Sequence, residues 1–308
     1  MKELKSKRIV IAGGTGFLGK SLARYFEEQG FEVVTLSRKR NPQSTPATTK
    51  TMYWNGRDLG NWTLQLEGCH ALINLAGKSV DCRYTPANKK AIVDSRVLST
   101  RILNKAIASL QEPPRYFLNS STATIYIHSE TQLNTETNGI IGDDFSMNVA
   151  RSWEREFFST ESHGTQKIAL RTSIVLGNGG GALPIMKNLA RLGMGGKAGR
   201  GTQMMSWIHI QDFCRAVGFL LQSRLTGPVN VTAPTSVSNV NFMKALRQSL
   251  MVSIGISQPR WLLELGSLLI GTETELLLKS RNVFPERLLN HGFSFEYSEI
   301  KPALENLL

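Results

Sequence analysis

A glycine-rich segment near the amino terminus has the spacing of a phosphate-binding loop. Gly14, Gly16 and Gly19 fit the pattern Gly-x-Gly-x-x-Gly, and Gly13 offers an alternative first position. The segment follows a short apolar run and precedes a pattern typical of an amphipathic helix, a context in which glycines let backbone N–H groups approach a pyrophosphate. We therefore predict a nucleotide-binding loop. Its predicted contact residues are Gly13, Thr15, Gly16, Phe17, Leu18 and Gly19.

The end of the second predicted strand indicates which dinucleotide this loop would hold. An NAD site usually places Asp or Glu there, to bind the ribose 2′-hydroxyl. This chain has Ser37 and Arg38, followed by Lys39 and Arg40. A guanidinium binds a 2′-phosphate that a carboxylate would repel, so Ser37 and Arg38 predict NADP(H) as the cofactor. The alternative is that Arg38 is only a solvated surface charge.

The elements that must position these residues alternate between strands and helices. Six strand-like runs separated by helical or loop segments predict an α/β protein with a doubly wound parallel Rossmann sheet in the order 3-2-1-4-5-6. Glycine-rich segments follow at 177–184 and 193–201, and helical patterns at 241–250 and 260–280 predict a smaller, mostly helical C-terminal lobe. We assign residues 1–232 to the NADP(H)-binding domain, with 177–205 contributing to the cleft. Residues 233–308 are then a substrate or lid domain.

Composition narrows the class of protein. Of the 308 residues, 41% are hydrophobic and 19% are charged, which is typical of a soluble globular chain. The start lacks the apolar core of a signal peptide, so we expect a cytoplasmic protein without membrane association. Three scattered cysteines, Cys69, Cys82 and Cys214, predict packing residues and no metal site.

A net charge of +12 has three interpretations. In order of preference they are a solvated basic surface, a phosphate-rich ligand and nucleic acid. No RNA-recognition or helix-turn-helix signature supports the third.

Several motifs together resemble one protein family. The segments at 74–77 (NLAG) and 120–126 (SSTATIY) resemble the extended short-chain dehydrogenase/reductases of the nucleotide-sugar epimerase group. Later motifs at 95–103, 170–183, 199–212, 227–234 and 283–297 resemble an atypical epimerase-like subfamily with a C-terminal domain of unknown function, sometimes labelled cell-division-inhibitor-like. The resemblance implies the Rossmann fold and a nicotinamide nucleotide, with NADPH expected, but no defined reaction. It also implies cofactor contacts from Leu75, Ala76, Gly77 and Arg96.

The resemblance also draws attention to what the chain lacks. Typical extended enzymes use a tyrosine as general acid or base and a lysine four residues later, which lowers the tyrosine pKa. The matching positions here are Val149 and Trp153, and the resemblance implies that the subfamily lacks the pair generally. It places Ser121 or Thr122 at the hydroxyl that binds the substrate oxygen, and Tyr126 is the nearest phenol that could donate a proton. The alternatives are strand-end hydroxyls that bond backbone and a packed aromatic ring.

Loops at the carboxyl ends of the strands should supply the substrate contacts. Their cationic, polar and aromatic residues suit an anionic, aromatic or carbonyl-containing ligand. The candidates are Lys78, Arg83, Tyr84, Gln203, Trp207 and His209. We predict an NADP(H)-binding oxidoreductase or epimerase-like protein that acts on a small molecule. The alternatives are a non-catalytic NADP(H) sensor with a protein partner and, third, an RNA-binding protein on the same fold.

Overall fold

The computed structural model describes residues 7–39, 49–161, 164–264, 273 and 278–308. Within these ranges, no helix has both the length and the apolar character needed to cross a lipid bilayer. The strands are β1 (Arg8–Ala12), β2 (Glu32–Ser37), β3 (Lys50–Tyr53), β4 (Ala71–Asn74), β5 (Tyr116–Thr122), β6 (Gln166–Thr172), β7 (Ile174–Leu176), β8 (Met204–Met205), β9 (Trp207–His209), β10 (Gly227–Val231) and β11 (Val237–Ser238).

The central sheet is parallel throughout. Among the described residues it has seven strands, in the order β10-β6-β5-β4-β1-β2-β3. The predicted order 3-2-1-4-5-6 is confirmed, and β10 extends the sheet beyond β6. The strand order reverses between β1 and β4, so the crevice at which such folds bind ligands lies at the carboxyl ends of these two strands.

Helices cover both faces of the sheet. They are α1 (Phe17–Glu28), α2 (Pro86–Ala108), α3 (Phe145–Phe158), α4 (Leu183–Leu189), α5 (Ile210–Leu220), α6 (Asn239–Ser249), α7 (Glu286–Asn290) and α8 (Ile300–Leu307). The start of α2 is fixed by Thr85, whose side chain accepts the Asn88 N–H at 3.2 Å, and by Pro86 in the first turn. Asp144 caps α3 in the same way, since its carboxylate accepts the Met147 N–H at 2.9 Å.

The core consists of two layers because strand residues alternate between the two faces of the sheet. Ile9 and Ile11 of β1 pack with α1 and α5 on one face, whereas Val10 packs with α2 and α3 on the other. Both faces are therefore apolar, as a parallel sheet requires.

The C-terminal residues divide between two cores. Phe242 of α6 and Leu304 of α8 form a separate apolar cluster with α4, which is the core of the smaller lobe. Leu288 of α7 joins the main core instead. The helix predicted over 260–280 is present at 260–264, while residues 265–272 and 274–277 lie outside the described part of the chain, as does Arg40.

Candidate functional site

A cleft of about 780 Å³ opens at the carboxyl ends of β1, β2 and β4. Eight of the residues predicted to bind the cofactor line it: Gly13, Thr15, Gly16, Ser37, Arg38, Leu75, Ala76 and Gly77. Lys78, predicted as a substrate contact, lines the same cleft. The remaining walls come from the loop after β3 and from the first half of α2.

The glycine loop joins β1 to α1 in one tight turn. Gly13 has a φ of +80°, and a Cβ atom there would lie 2.9 Å from the carbonyl carbon of Leu75. Gly19 is equally constrained, because its Cβ would lie 2.5 Å from the Gly13 carbonyl oxygen. These two glycines are required by the packing of the loop itself.

Gly16 differs, because the space next to it is open. It is the N-cap of α1, with φ −78° and ψ 174°, and a Cβ atom there would meet only Gly13 O, at 3.5 Å, among the described residues. The first N–H groups of a helix have no partner within the helix, so the start of α1 presents donors to the cleft that Gly16 lines. A phosphate group could occupy the space that a side chain at Gly16 would fill. The loop therefore fits a dinucleotide.

Two arginines stand at the far end of the cleft. Ser37 is buried and its hydroxyl accepts the Lys39 N–H at 3.0 Å, which fixes the turn that leaves Arg38 exposed. The sequence reasoning missed Arg57, which lies in the loop after β3. The Asn55 side chain accepts the Arg57 N–H at 2.9 Å, and the Arg57 side chain is exposed along the same cleft. The two arginines give this end of the cleft a positive charge.

Arg96 lies behind the cleft wall. Its Nη1 donates to the carbonyl oxygens of Lys78 (3.0 Å) and Ile92 (3.1 Å), so it ties the loop after β4 to α2. Burial lowers the pKa of the Arg96 guanidinium to about 10, which leaves it charged at neutral pH. The guanidinium lies 5.1 Å from the ring centroid of Trp153. Arg96 therefore positions the loop and does not itself line the cleft.

Val149 and Trp153, the positions that the resemblance matches to the usual catalytic pair, are packing residues. Val149 is 6% exposed and Trp153 is 5% exposed. The Trp153 indole donates to the Thr100 hydroxyl at 2.9 Å, and Thr100 belongs to a buried polar cluster with Asn74 and Asn119. Trp153 therefore secures α3 against α2, where an enzyme with the usual pair would place a lysine.

A second, smaller cavity lies at the carboxyl ends of β5 and β6 and measures about 210 Å³. We call it the threonine cavity, after Thr122 and Thr124, whose hydroxyls bond to each other at its wall. Its lining residues are Thr122, Ala123, Thr124, Ser146, Thr172, Ser173, Ile174, Met186, Met204, Met205, Ser206, Asn239, Lys279 and Arg281.

The segment 279–284, in which Lys279 and Arg281 line the threonine cavity, is attached to the rest of the protein through its backbone. The Arg281 N–H donates to Met204 O at 2.8 Å, and the Phe284 N–H donates to Asn134 O at 2.9 Å. The Val283 N–H donates to the Ser206 hydroxyl at 2.9 Å. The C-terminal segment is thus held at several points along its length.

Ser121 and Tyr126 face away from the cavity, which corrects their predicted roles. The Ser121 hydroxyl donates to the Glu154 carboxylate at 2.6 Å, and Glu154 forms a buried two-bond pair with Arg171, at 2.8 Å for each bond. Arg171 also donates to the Tyr126 hydroxyl at 2.9 Å, which donates in turn to Asn230 Oδ1 at 2.8 Å.

Tyr126 is fully buried, and burial raises its pKa. Of the three residues predicted to be catalytic, Thr122 alone lines the threonine cavity. The buried chain from Ser121 to Asn230 fills the place where the proton donor was expected. The sequence signal for this buried chain of hydrogen bonds is Arg171, a charged residue directly after the apolar run 168–170 of strand β6.

Three residues predicted to contact substrate are structural, because each is buried and bonded to backbone. The Trp207 indole donates to Thr235 O at 3.0 Å, and the Gln203 amide donates to Ala198 O at 3.0 Å. His209 caps α5 by accepting the Gln211 N–H at 3.1 Å, and it stacks on Tyr297 at 3.9 Å. These placements correct the prediction for Gln203, Trp207 and His209.

Arg83 and Tyr84 lie in the loop before α2 and contact Glu273. The Arg83 guanidinium is 3.8 Å from the Glu273 carboxylate, which also accepts the Tyr84 N–H at 2.6 Å. Neither residue lines the cleft or the threonine cavity. In the described part of the chain, no group of three or more His, Cys, Asp or Glu side chains could hold a metal ion.

The fold and the glycine loop define a Rossmann-type α/β protein. A sequence model of the NAD dependent epimerase/dehydratase family matches residues 9–232, and a domain of unknown function (DUF1731) matches residues 258–307. The chain belongs to the NAD dependent epimerase/dehydratase family. The resemblance to an epimerase-like subfamily with a C-terminal domain of unknown function is confirmed.

The similarity to known proteins extends over nearly the whole chain. Epimerase family protein SH2119 of Staphylococcus haemolyticus is 32% identical over 98% of this chain and 99% of its own. Epimerase family protein YfhF of Bacillus subtilis is 32% identical over 97% of each. Among solved structures, human epimerase family protein SDR39U1 (isoform 2) with NADPH has a TM-score of 0.86 and 29% identity, over 97% of this chain and 98% of the human chain.

Proposed function

We propose that the protein binds NADP(H) and acts as an oxidoreductase or epimerase-like enzyme on a small molecule, without a Tyr-Lys pair. The observation that carries the proposal is the cleft in which an open glycine cradle at Gly16 is combined with Arg38 and Arg57. The solved structure of the human relative with NADPH supports the choice of cofactor.

Each part of the cleft has a separate role in this proposal. The N–H groups at the start of α1 would hold the pyrophosphate, because they are unpaired donors at the positive end of the helix dipole. Arg38 and Arg57 would bind the ribose 2′-phosphate, and Leu75, Ala76 and Gly77 would line the remainder of the cleft. Arg96 would hold that loop in place from behind.

When bound, NADPH supplies a hydride to a carbonyl or enone carbon. The chain must then supply the proton. Thr122 and Thr124 are the bonded hydroxyls that face the threonine cavity, and a pair of hydroxyls can pass a proton from water to a substrate oxygen. A threonine hydroxyl is not ionised at neutral pH, so it is a poor base there. We therefore propose reduction, and not alcohol oxidation, as the direction.

Calorimetry tests the cofactor assignment. Wild-type protein should bind NADPH more tightly than NADH, and Arg38→Ala should weaken NADPH binding about 10- to 150-fold, as expected for a charge-assisted hydrogen bond of about 1.5–3 kcal/mol. Arg57→Ala should weaken it in the same sense. Arg224→Gln, an exposed change before β10 at the opposite end of the strands, is the matched control. Equal affinity of the wild type for NADPH and NADH would refute the proposal.

A second candidate function is a non-catalytic NADP(H) sensor, and the packed residues Val149 and Trp153 favour it. NADPH consumption over a library of carbonyl compounds distinguishes the two. The enzyme proposal expects turnover with at least one compound and a lower rate in Thr122→Val. The sensor expects tight NADPH binding with no turnover.

We also propose the division into a nucleotide-binding domain, 1–232, and a C-terminal substrate domain, 233–308. The apolar cluster shared by α6 and α8 supports a C-terminal unit, to which α4 also contributes, whereas α7 packs in the main core.

A further inference from the structure

The threonine cavity lies one strand away from the cofactor cleft, along the same edge of the sheet. β4 pairs with β5, and the loop after β4 lines the cleft. β5 runs three residues past its last pairing with β4, at Asn119, and ends at Thr122, opposite Thr172 of β6. A ligand in the cavity would therefore lie at the carboxyl ends of the strands, as the cofactor cleft does.

The charged residues of the threonine cavity lie in the C-terminal segment. Of the described residues that line it, Lys279 and Arg281 are cationic and none is acidic. Lys279 forms an ion pair with Asp144, the N-cap of α3. Burial opposes the ionisation of Asp144, but the Lys279 hydrogen bond and the charges of Lys279 and Arg281 hold its pKa below the usual value.

The size and lining of the cavity limit the ligand further. Its volume of about 210 Å³ lies below the 300–1,000 Å³ of pockets that hold drug-sized ligands. A nucleotide sugar is too large for it. Its lining combines the apolar side chains of Ile174 and three methionines with the hydroxyls of threonines and serines. The cavity suits a compact molecule with a short apolar body and two polar ends.

We propose that the threonine cavity binds a small carboxylate that carries a carbonyl or hydroxyl oxygen. Arg281 and Lys279 attract its carboxylate, the hydroxyls of Thr122 and Thr124 bind its second oxygen, and the methionines contact its apolar body. A guanidinium matches a carboxylate geometrically, and Arg281 is held in place by a bond from Nη1 to Ser280 O at 3.0 Å. That this ligand is the substrate rests on the proposed function, whereas its binding does not.

Calorimetry with three probes tests the proposal. The probes are 4-methyl-2-oxopentanoate, its methyl ester and UDP-glucose, each added to the full chain with and without saturating NADPH. The acid should bind, the neutral ester should bind at least about tenfold more weakly, and UDP-glucose should not displace the acid. Arg281→Gln should weaken acid binding at least about tenfold while leaving the NADPH affinity unchanged, and Arg224→Gln should change neither.

The outcomes separate this proposal from the proposed function. Binding of the acid without binding of NADPH would overturn the cofactor assignment and leave the cavity proposal standing. Binding of NADPH with no binding of the acid would overturn the cavity proposal alone. Equal affinity for acid and ester, or displacement of the acid by UDP-glucose, would also overturn it. The comparison of acid and ester uses wild-type protein, so it decides even if Arg281→Gln does not fold.

Discussion

Gly16 allows the nucleotide-binding role of the loop to be separated from its structural role. Its backbone is in the extended region, which a branched residue also adopts, and in the described residues a Cβ atom there meets only Gly13 O, at 3.5 Å. Gly16→Val should therefore fold. Its side chain would occupy the cleft in front of the N–H groups of α1, where the pyrophosphate is proposed to bind.

The expected loss of folding free energy in Gly16→Val is smaller than the expected loss of binding free energy. Valine is a poorer N-cap than glycine, so the variant should lose no more than about 1 kcal/mol of folding free energy. Loss of two charge-assisted hydrogen bonds at about 1.5 kcal/mol each gives about 3 kcal/mol, or about 150-fold in the NADPH dissociation constant. Urea unfolding and calorimetry on the same samples measure both quantities.

Gly30→Ala is the matched control. Gly30 ends α1 at φ +79° and is exposed, and a Cβ atom there would meet nothing within 4 Å among the described residues. Alanine there should cost about 1–2 kcal/mol through backbone strain and leave NADPH binding unchanged. Gly16→Val is thus expected to impair mainly NADPH binding, whereas Gly30→Ala is expected to lower only the stability. Wild-type NADPH affinity in Gly16→Val would refute the cradle assignment.

Three further predictions concern the buried groups. Glu154→Ala should cost about 3–5 kcal/mol in urea unfolding, because Arg171 stays buried without its carboxylate. Burial lowers the pKa of His209, so the stabilisation from its neutral form is complete above about pH 6.5 and falls as the pH drops below that value. His209→Asn keeps an N-cap but removes this titration. The free energy of unfolding of this variant should therefore change less between about pH 7 and 5. Val149→Tyr with Trp153→Lys should lower the melting temperature and not raise NADPH turnover; a gain in turnover would contradict the packing role.

The strands of the Rossmann sheet could be predicted because both faces of the sheet are buried. Such strands are short, continuous apolar runs between turn signals, as β1 and β4 are. β10 was missed since its sequence, GPVNV, contains a proline and an asparagine. Asn230 is nevertheless buried, because its side chain accepts from Tyr126 and donates to Phe284 O at 2.9 Å. Its amide group thus forms hydrogen bonds with residues that are far away in the sequence.

The cofactor cleft could be predicted from the sequence, whereas the rest of the site could not. The glycine loop is contiguous, and backbone geometry alone fixes its role. Ser121 and Thr122 are adjacent on one strand, so their side chains point to opposite faces, and the sequence does not say which one faces a ligand. Only the position of Glu154 shows that Ser121 turns inward. Lys279 and Arg281 approach Thr122 from a segment about 160 residues away along the chain. No local sequence pattern could therefore link them.

The attachment of the C-terminal wall has a kinetic consequence. The backbone N–H groups of Arg281, Val283 and Phe284 hold this wall against two segments, one at 204–206 and one at Asn134, so the wall is already in place before any ligand arrives. A ligand that enters a preformed site binds in one step, and its observed association rate rises linearly with concentration. In a stopped-flow experiment with a small carboxylate, a linear plot is expected. A rate that levels off at high concentration would instead reveal a slow conformational step of the protein, before or after the ligand enters.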